Sequence, residues 1–389
     1  MNDTAIHLEE NVFPIAPIRQ WVLSFPFFLR YLMAYDPKVV TAILKIHTNE
    51  ISRYYKSNSG QERNNVKTGA VTVIQRFGGA LNLNPHFHSV FVDGYFFKSN
   101  NKIYFKEVNA PNKRDLEKLL KVIIKKILRW LERNSYLEVE SNNLKLLENT
   151  MASIHESSVC YKISVGPRKG EKIQIGGRED LVKVVNSGGG MSIDGFNIHA
   201  GVNIKKNQRE KMSILFRYIS RGPLAKGRVE APNDEKILVK FKKPWSSGAT
   251  HVVYTNLEFI EKLVALVPPQ RAHLVRYHGV FAPSSSWRKE ICSKRNESNK
   301  KPEKQNKYRT PWAELLKRTF NVDAELCSKC GGNLKPIALI IKTEKVGAIL
   351  SSLNISSKKV FIPYLSGRAP PEIPGLPPDG EYSQIPLDW

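Results

Sequence analysis

Apolar positions along this chain alternate between a period of two and a period near 3.6, and each change of period marks a new element. Arg19 to Phe28 (RQWVLSFPFF) is an almost unbroken apolar run closed by Pro26, which predicts a buried strand. A helical stretch follows, breaks at Asp36-Pro37 and resumes from Lys38 to about Tyr55. Val71 to Arg76 (VTVIQR) predicts a second strand, joined by the turn Phe77-Gly78-Gly79-Ala80 to a third that ends at Asp93-Gly94. Tyr95 to Phe105 alternates around an Asn100-Asn101 turn and extends the antiparallel pattern. From Asn112 to Asn134 the period becomes helical, with Leu116, Leu119, Leu120, Ile123, Ile124, Ile127, Leu128 and Leu131 on one face. Gly195 to Val202 predicts another strand. Asn207 to Ser220 predicts a helix that Asn207 and Glu210 cap, with a core stripe of Met212, Leu215, Phe216 and Ile219. A basic strand–turn–strand over Lys236 to Val253 and a short helix over Leu257 to Val267, stopped by Pro268-Pro269, come next. The pattern is that of an α+β protein built on antiparallel strands.

Charge narrows the function. The 389 residues carry 60 Lys plus Arg against 36 Asp plus Glu, a net charge of +24 and a pI near 9.8, which points to a polyanionic partner, nucleic acid first. Four cysteines exclude a disulfide scaffold and fit a reducing compartment. No apolar run approaches the roughly 20 residues of a membrane span, and the opening MNDTAIHLEENVFP is polar and acidic, unlike a signal peptide. Gly166 to Lys172 (GPRKGEK) lacks the Gly-Lys-Ser/Thr ending of a phosphate loop, so no nucleotide cofactor is expected. A polar Lys/Asn/Glu stretch from Cys292 to Arg309 reads as a linker. Beyond it come a helix at Trp312 to Phe320, a Cys327-x-x-Cys330 pair that is half of a zinc site, and a proline-rich tail from Ala369.

The candidate chemistry gathers at Asn82 to Gly94, NLNPHFHSVFVDG. On a strand, His86 and His88 share one face while Phe87 and Phe91 take the other. Two imidazoles about 7 Å apart at the Cα level can converge on one metal ion, and two ligands leave positions open for substrate. The bland alternative is one buried, hydrogen-bonded histidine and one solvated. In the Asn207–Ser220 helix, Tyr218 falls outside the core stripe and lies between Arg217 and Arg221. Positive neighbours favour a phenolate and hold a phosphate, as a nucleophile attacking phosphorus needs. Clustered carboxylates, which a two-metal nuclease would need, are not evident.

Three stretches together resemble a known family. Thr68 to Phe96 (TGAVTVIQRFGGALNLNPHFHSVFVDGYF) is similar to the His-hydrophobic-His (HUH) block of rolling-circle transposases of the IS-ninety-one type. LFRYISRGPLAKGRV resembles that family's tyrosine block, and His273 to Pro283 (HLVRYHGVFAP) is similar to a later one. The resemblance implies an antiparallel-sheet HUH endonuclease core in which His86 and His88 bind Mg²⁺ or Mn²⁺ and Tyr218 is the nucleophile. It implies a third ligand, with His199 the first candidate and Gln75 the second, and phosphate contacts from Arg217, Arg221, Lys226, Lys242 and Lys243. Attack by Tyr218 would leave a 5′-phosphotyrosine and a free 3′-hydroxyl on single-stranded DNA, at transposon ends and at the target. Founding members carry two tyrosines one helical turn apart; here Ile214 stands at the first position, which implies one tyrosine used twice or a homodimer. The family has a cysteine-rich zinc-binding domain upstream, which this sequence lacks. The division implied is a connecting segment (1–18), a catalytic domain (19–235), a basic extension (236–290), a linker (291–310), a small region with the Cys-x-x-Cys (311–368) and a tail (369–389). Zinc at Cys327 and Cys330 and a cytoplasmic, nucleoid-associated protein complete the expectation. The rival reading is a catalytically inactive DNA-binding remnant.

Overall fold

A computed structural model describes residues 2–62, 65–137, 150–177, 190–224, 227–241, 244 and 248–293, together with 317, 326, 331–333 and 352. It is the α+β, antiparallel architecture expected. Strand β1 (Ile18–Ser24) is buried along its whole length, ending sooner than the apolar run suggested. Pro26 fixes the backbone for a helix start, so Phe27 and Phe28 open α2 (Phe27–Tyr35) after the short N-terminal α1 (Asn2–His7). Helix α3 (Pro37–Ser57) begins at a proline in the first turn, with the Asp36 side chain accepting from the Lys38 amide at 2.7 Å.

Strands β2 (Val66–Lys67), β3 (Gly69–Phe77) and β4 (Leu83–Val92) follow. Then β5 (Gly94–Ser99) and β6 (Lys102–Glu107) form a hairpin whose turn residues Asn100 and Asn101 both have positive φ, at 47° and 60°. That is the turn the Asn-Asn pair predicts, because its twist matches the strands it joins. Helix α4 (Lys113–Arg133) carries a capping box made by Asn112 and Asp115 and buries the predicted stripe, except Leu128, which is 38% exposed. The remaining elements are α5 (Thr150–Val159), β7 (Gln174–Gly177), β8 (Gly190–Ile193), β9 (Phe196–Ile204), α6 (Arg209–Ile219), β10 (Val229–Glu230), β11 (Lys236–Lys240), β12 (Ala249–Thr255), α7 (Asn256–Leu266), β13 (Val275–Gly279) and α8 (Arg288–Ser293).

The central sheet has six antiparallel strands in the order β13-β3-β4-β1-β9-β8. One face packs on α2, α3 and α4 through Trp21, Leu23, Ile74, Phe87 and Phe91. The other face packs under α6 through Val71, Val73, Val90 and Val92. A four-stranded sheet, β10-β11-β12-β7, shares a third core with α5 and α7, and β2-β5-β6 form a small third sheet. Residues 236–290 read from sequence as an extension, yet β13 within them is the outer strand of the central sheet, in register from Val275↔Val73 to Gly279↔Gly69. The Trp312–Phe320 helix, except Lys317, and the linker from residue 294 to 309 lie outside the described residues. Among the described residues no helix is long and apolar enough to cross a membrane.

Candidate active site

His86 and His88 lie on β4, whose neighbours β3 and β1 hold it in the middle of the central sheet. Direct cross-strand partners share a face, so the registers Gln75↔His86, Val73↔His88 and Val22↔His88 put Gln75, His86, His88, Gln20 and Val22 on the α6 side. Phe87 goes to the other core, as period two requires. The two imidazoles are 6% and 1% exposed and meet with their Nε2 atoms 3.1 Å apart.

Their tautomers follow from what surrounds them. His86 Nδ1 is 2.7 Å from the Asn84 carbonyl, which can only accept, so Nδ1 carries the proton and Nε2 holds a lone pair when the ring is neutral. His88 Nδ1 lies 2.6 Å from Gln20 Nε2, which can only donate, so here His88 keeps its proton on Nε2 and donates to His86. Burial first, then the charges of His86 and Arg221, push the His88 pKa well below the usual histidine value, so its ring is neutral near neutral pH.

Tyr218 stands beside this pair. Its ring is 6.0 Å from the His88 ring, edge to face, and the Arg221 guanidinium lies 4.7 Å from the Tyr218 ring centre. The sequence pattern placed Tyr218 off the buried face; the structure corrects this, because it is 4% exposed and Ile214 is 8% exposed. The stripe assumed one covered side. Helix α6 is covered on two, by the sheet below and by α1 and the π-helical turn Leu8–Val12 beside it. The expected Asn207 cap is also absent. The helix begins at Arg209 after Gln208, whose side chain bonds Lys205 instead, and Arg209 ties the start of the helix to Glu9. Arg217 is directed elsewhere, its Nε 3.4 Å from the Ser213 carbonyl.

Gln75 is 4% exposed and donates to the Ile219 carbonyl at 2.8 Å, so it is a buried tie between β3 and the end of α6 rather than a surface residue. His199 reaches the same sheet face by an irregularity. Strand β9 carries one extra residue, Ala200 and Gly201 together opposing Trp21, so that His199 pairs with Val22. Without that residue the period of two would turn His199 to the helix-packed face. It lies two strands from His88, about 10 Å at the spacing of a sheet. Burial lowers its pKa to about 4. Among the described residues no three His, Cys, Asp or Glu side chains converge as a metal cluster, so His199 does not join the His86–His88 pair in this conformation.

Gln20 is the residue that sequence reasoning missed. Its signal was present: a glutamine inside an apolar strand run must find a partner when buried, and it is 1% exposed. Lys226, Lys242, Lys243, Cys327 and Cys330 lie outside the described residues.

No curated protein and no solved structure matches the chain. A family model described as "Putative transposase" matches residues 69–290, more than half of the chain. The matched span opens with β3 and contains His86, His88, His199 and Tyr218, and the chain belongs to this transposase family.

Proposed function

We propose that the protein cuts and rejoins single-stranded DNA through a covalent bond to Tyr218, with a divalent cation held by His86 and His88. The observation that carries this reading is the meeting of the paired Nε2 atoms, the Tyr218 ring and the Arg221 guanidinium on one sheet face. The two Nε2 atoms already lie 3.1 Å apart, so both imidazoles could hold one cation between them. The surroundings fit as well. Gln20 Oε1 is buried with no hydrogen-bond partner. A half-turn of that amide would aim Oε1 at His88 Nδ1, move the ring proton there and free the His88 Nε2 lone pair for a cation. Imidazole donors suit Mn²⁺ better than Mg²⁺, which prefers oxygen. When bound, the cation supplies polarisation of the phosphoryl oxygen and absorbs developing negative charge.

The protein's own groups do the rest. Tyr218 Oη attacks phosphorus and gives up its proton; the bond from phosphorus to the 3′-oxygen breaks, and that oxygen takes a proton to become a 3′-hydroxyl. The product strand stays on Tyr218 through its 5′-phosphate. Arg221, beside the Tyr218 ring, holds the phosphate. Burial of Tyr218 keeps water from the phosphotyrosine, so a second 3′-hydroxyl, rather than hydrolysis, resolves it. His199, on the same face, is the proposed third protein donor. With one tyrosine, a full strand exchange takes two turnovers or two subunits.

The test uses single-stranded oligonucleotides from the DNA flanking the gene, incubated with the protein and Mn²⁺ and resolved on a denaturing gel. A covalent adduct lost in both Tyr218→Phe and His86→Ala is expected. Cleavage without adduct, or an adduct that survives Tyr218→Phe, removes Tyr218 from the mechanism. Tight strand binding with no cleavage would instead support an inactive remnant.

A further inference from the structure

On the opposite face of the central sheet from the histidine pair, a groove of about 680 Å³ runs between α3 and the outer strand β13. Ile74 lines it, while its neighbour Gln75 faces His86, so a single strand, β3, separates the two sites. Along α3 the lining residues follow one helical stripe from Val40 to Lys56, about 24 Å at the rise of an α-helix. That length is the backbone run of about seven nucleotides and exceeds any mononucleotide.

The chemistry of the lining is one-sided. Lys45 and Lys56 stand on the helix wall, Lys67 and Arg276 on the strand wall, and the groove has no carboxylate in its lining. None of the four cations pairs with a carboxylate among the described residues, although α4 and β11 lysines of this chain do form such pairs. Cations gathered without counter-charges cost repulsion, which a polyanion would relieve. His278 also lines the groove, its Nε2 enclosed and without a hydrogen-bond partner. Burial, then the charge of Arg276, lowers its pKa to about 4, so the ring stays neutral and can offer an N–H.

We propose that this groove holds a second stretch of single-stranded DNA, separate from the strand at His86, His88 and Tyr218. The inference rests on DNA being the polymer on which this transposase-family chain acts, but not on Tyr218 chemistry. At about 680 Å³ the groove has the volume of a pocket for one drug-sized ligand, so it takes the sugar–phosphate backbone of a single strand and leaves the bases outside. Joining DNA ends requires holding more than one segment, and the sheet offers a separate surface for each. Contacts are to phosphates, from the lysines and Arg276, so the groove is indifferent to base sequence.

The experiment measures binding of the full chain to a labelled single strand of about 20 nucleotides across a salt series, with a chelator present so that no cleavage occurs. Replacing Lys45→Ala and Lys56→Ala together removes two phosphate contacts. The slope of log affinity against log salt should fall by about 1.4, and affinity by about 10- to 30-fold at 0.1 M salt. A charge-matched control, Lys118→Ala with Lys125→Ala on the exposed face of α4, should leave the slope unchanged. An equal fall in both pairs would mean bulk charge, not a groove; no fall in the Lys45/Lys56 pair would mean no DNA there. Either result overturns the proposal. The adduct assay is read independently, so its failure would remove the tyrosine mechanism and leave the groove standing.

Discussion

At position 20 a single amide decides which nitrogen of His88 carries the proton. As found, Gln20 donates to His88 Nδ1, and the ring's single proton, on Nε2, lies between the two histidines. Replacing Gln20→Ala removes the acceptor that would fix the metal-binding tautomer. Mn²⁺ affinity measured by calorimetry should fall about 10- to 100-fold, while Gln20→Glu, a pure acceptor, should retain it. Equal affinity in all three proteins would show that the amide does not orient the ring. The histidine pair itself was legible in the sequence, because a strand's period of two makes His-x-His a shared-face pair wherever it lies. For Gln20 the sequence shows only that a buried glutamine needs a partner; which partner depends on which strand lies beside β4. Tyr218 was placed on the right helix but the wrong surface: hydrophobic spacing identifies one packed side of a helix and is silent on a second one.

Strand ends and irregularities set the site as much as the regular pairs do. β4 leaves the central sheet at Asp93, whose carboxylate takes both Arg19 Nε at 2.9 Å and Arg19 NH2 at 2.7 Å, the Tyr55 hydroxyl at 2.9 Å, and the Asn203 amide. Arg19 and Asp93 are both buried, and Arg19 also reaches the Ala200 carbonyl, next to the extra residue of β9. One carboxylate therefore joins three strands and a helix at the corner. The sequence marks Asp93-Gly94 as a turn and no more. Glycine follows because a Cβ there would sit 2.1 Å from the Lys106 carbonyl oxygen. Asp93→Ala should cost about 3–5 kcal/mol, the scale for stranding a buried cation, read as a lower urea midpoint at unchanged slope. A loss under about 1 kcal/mol would mean that the corner is held by packing alone. The extra residue in β9 could not be read from sequence either, since nothing in the alternation of FNIHAG distinguishes a bulge from a strand end.

For the molecule as a whole, the α+β class, the order of elements and the basic surface were legible, because they depend on local period and composition. Long-range closure was not, and it decides acid behaviour and assembly. His47 is fully buried against Ser89, and burial followed by the charge of His278 lowers its pKa to about 3; burial chiefly brings His155 and His278 to about 4. Above the ordinary histidine value near 6.5 both folded and unfolded chains carry these rings neutral. As pH falls from there toward 4, the unfolded chain takes up protons that the fold refuses, so stability drops, by roughly 1.4 kcal/mol per pH unit for His47 alone. Urea midpoints at pH 7 and pH 4.5 should differ accordingly, and His47→Gln should flatten the dependence; a midpoint that ignores pH would refute the assignment. The pairing of β13 with β3 has a consequence in time. These strands are roughly 200 residues apart, so during synthesis at about 5–20 residues per second β3 waits on the order of 10–40 s before its outer neighbour leaves the ribosome. Through that interval the nascent sheet exposes an unpaired apolar edge, VTVI, and any product terminated before Val275 keeps it permanently. Shortened copies of the gene should therefore yield chains that aggregate or call on chaperones, however complete their histidines and tyrosine.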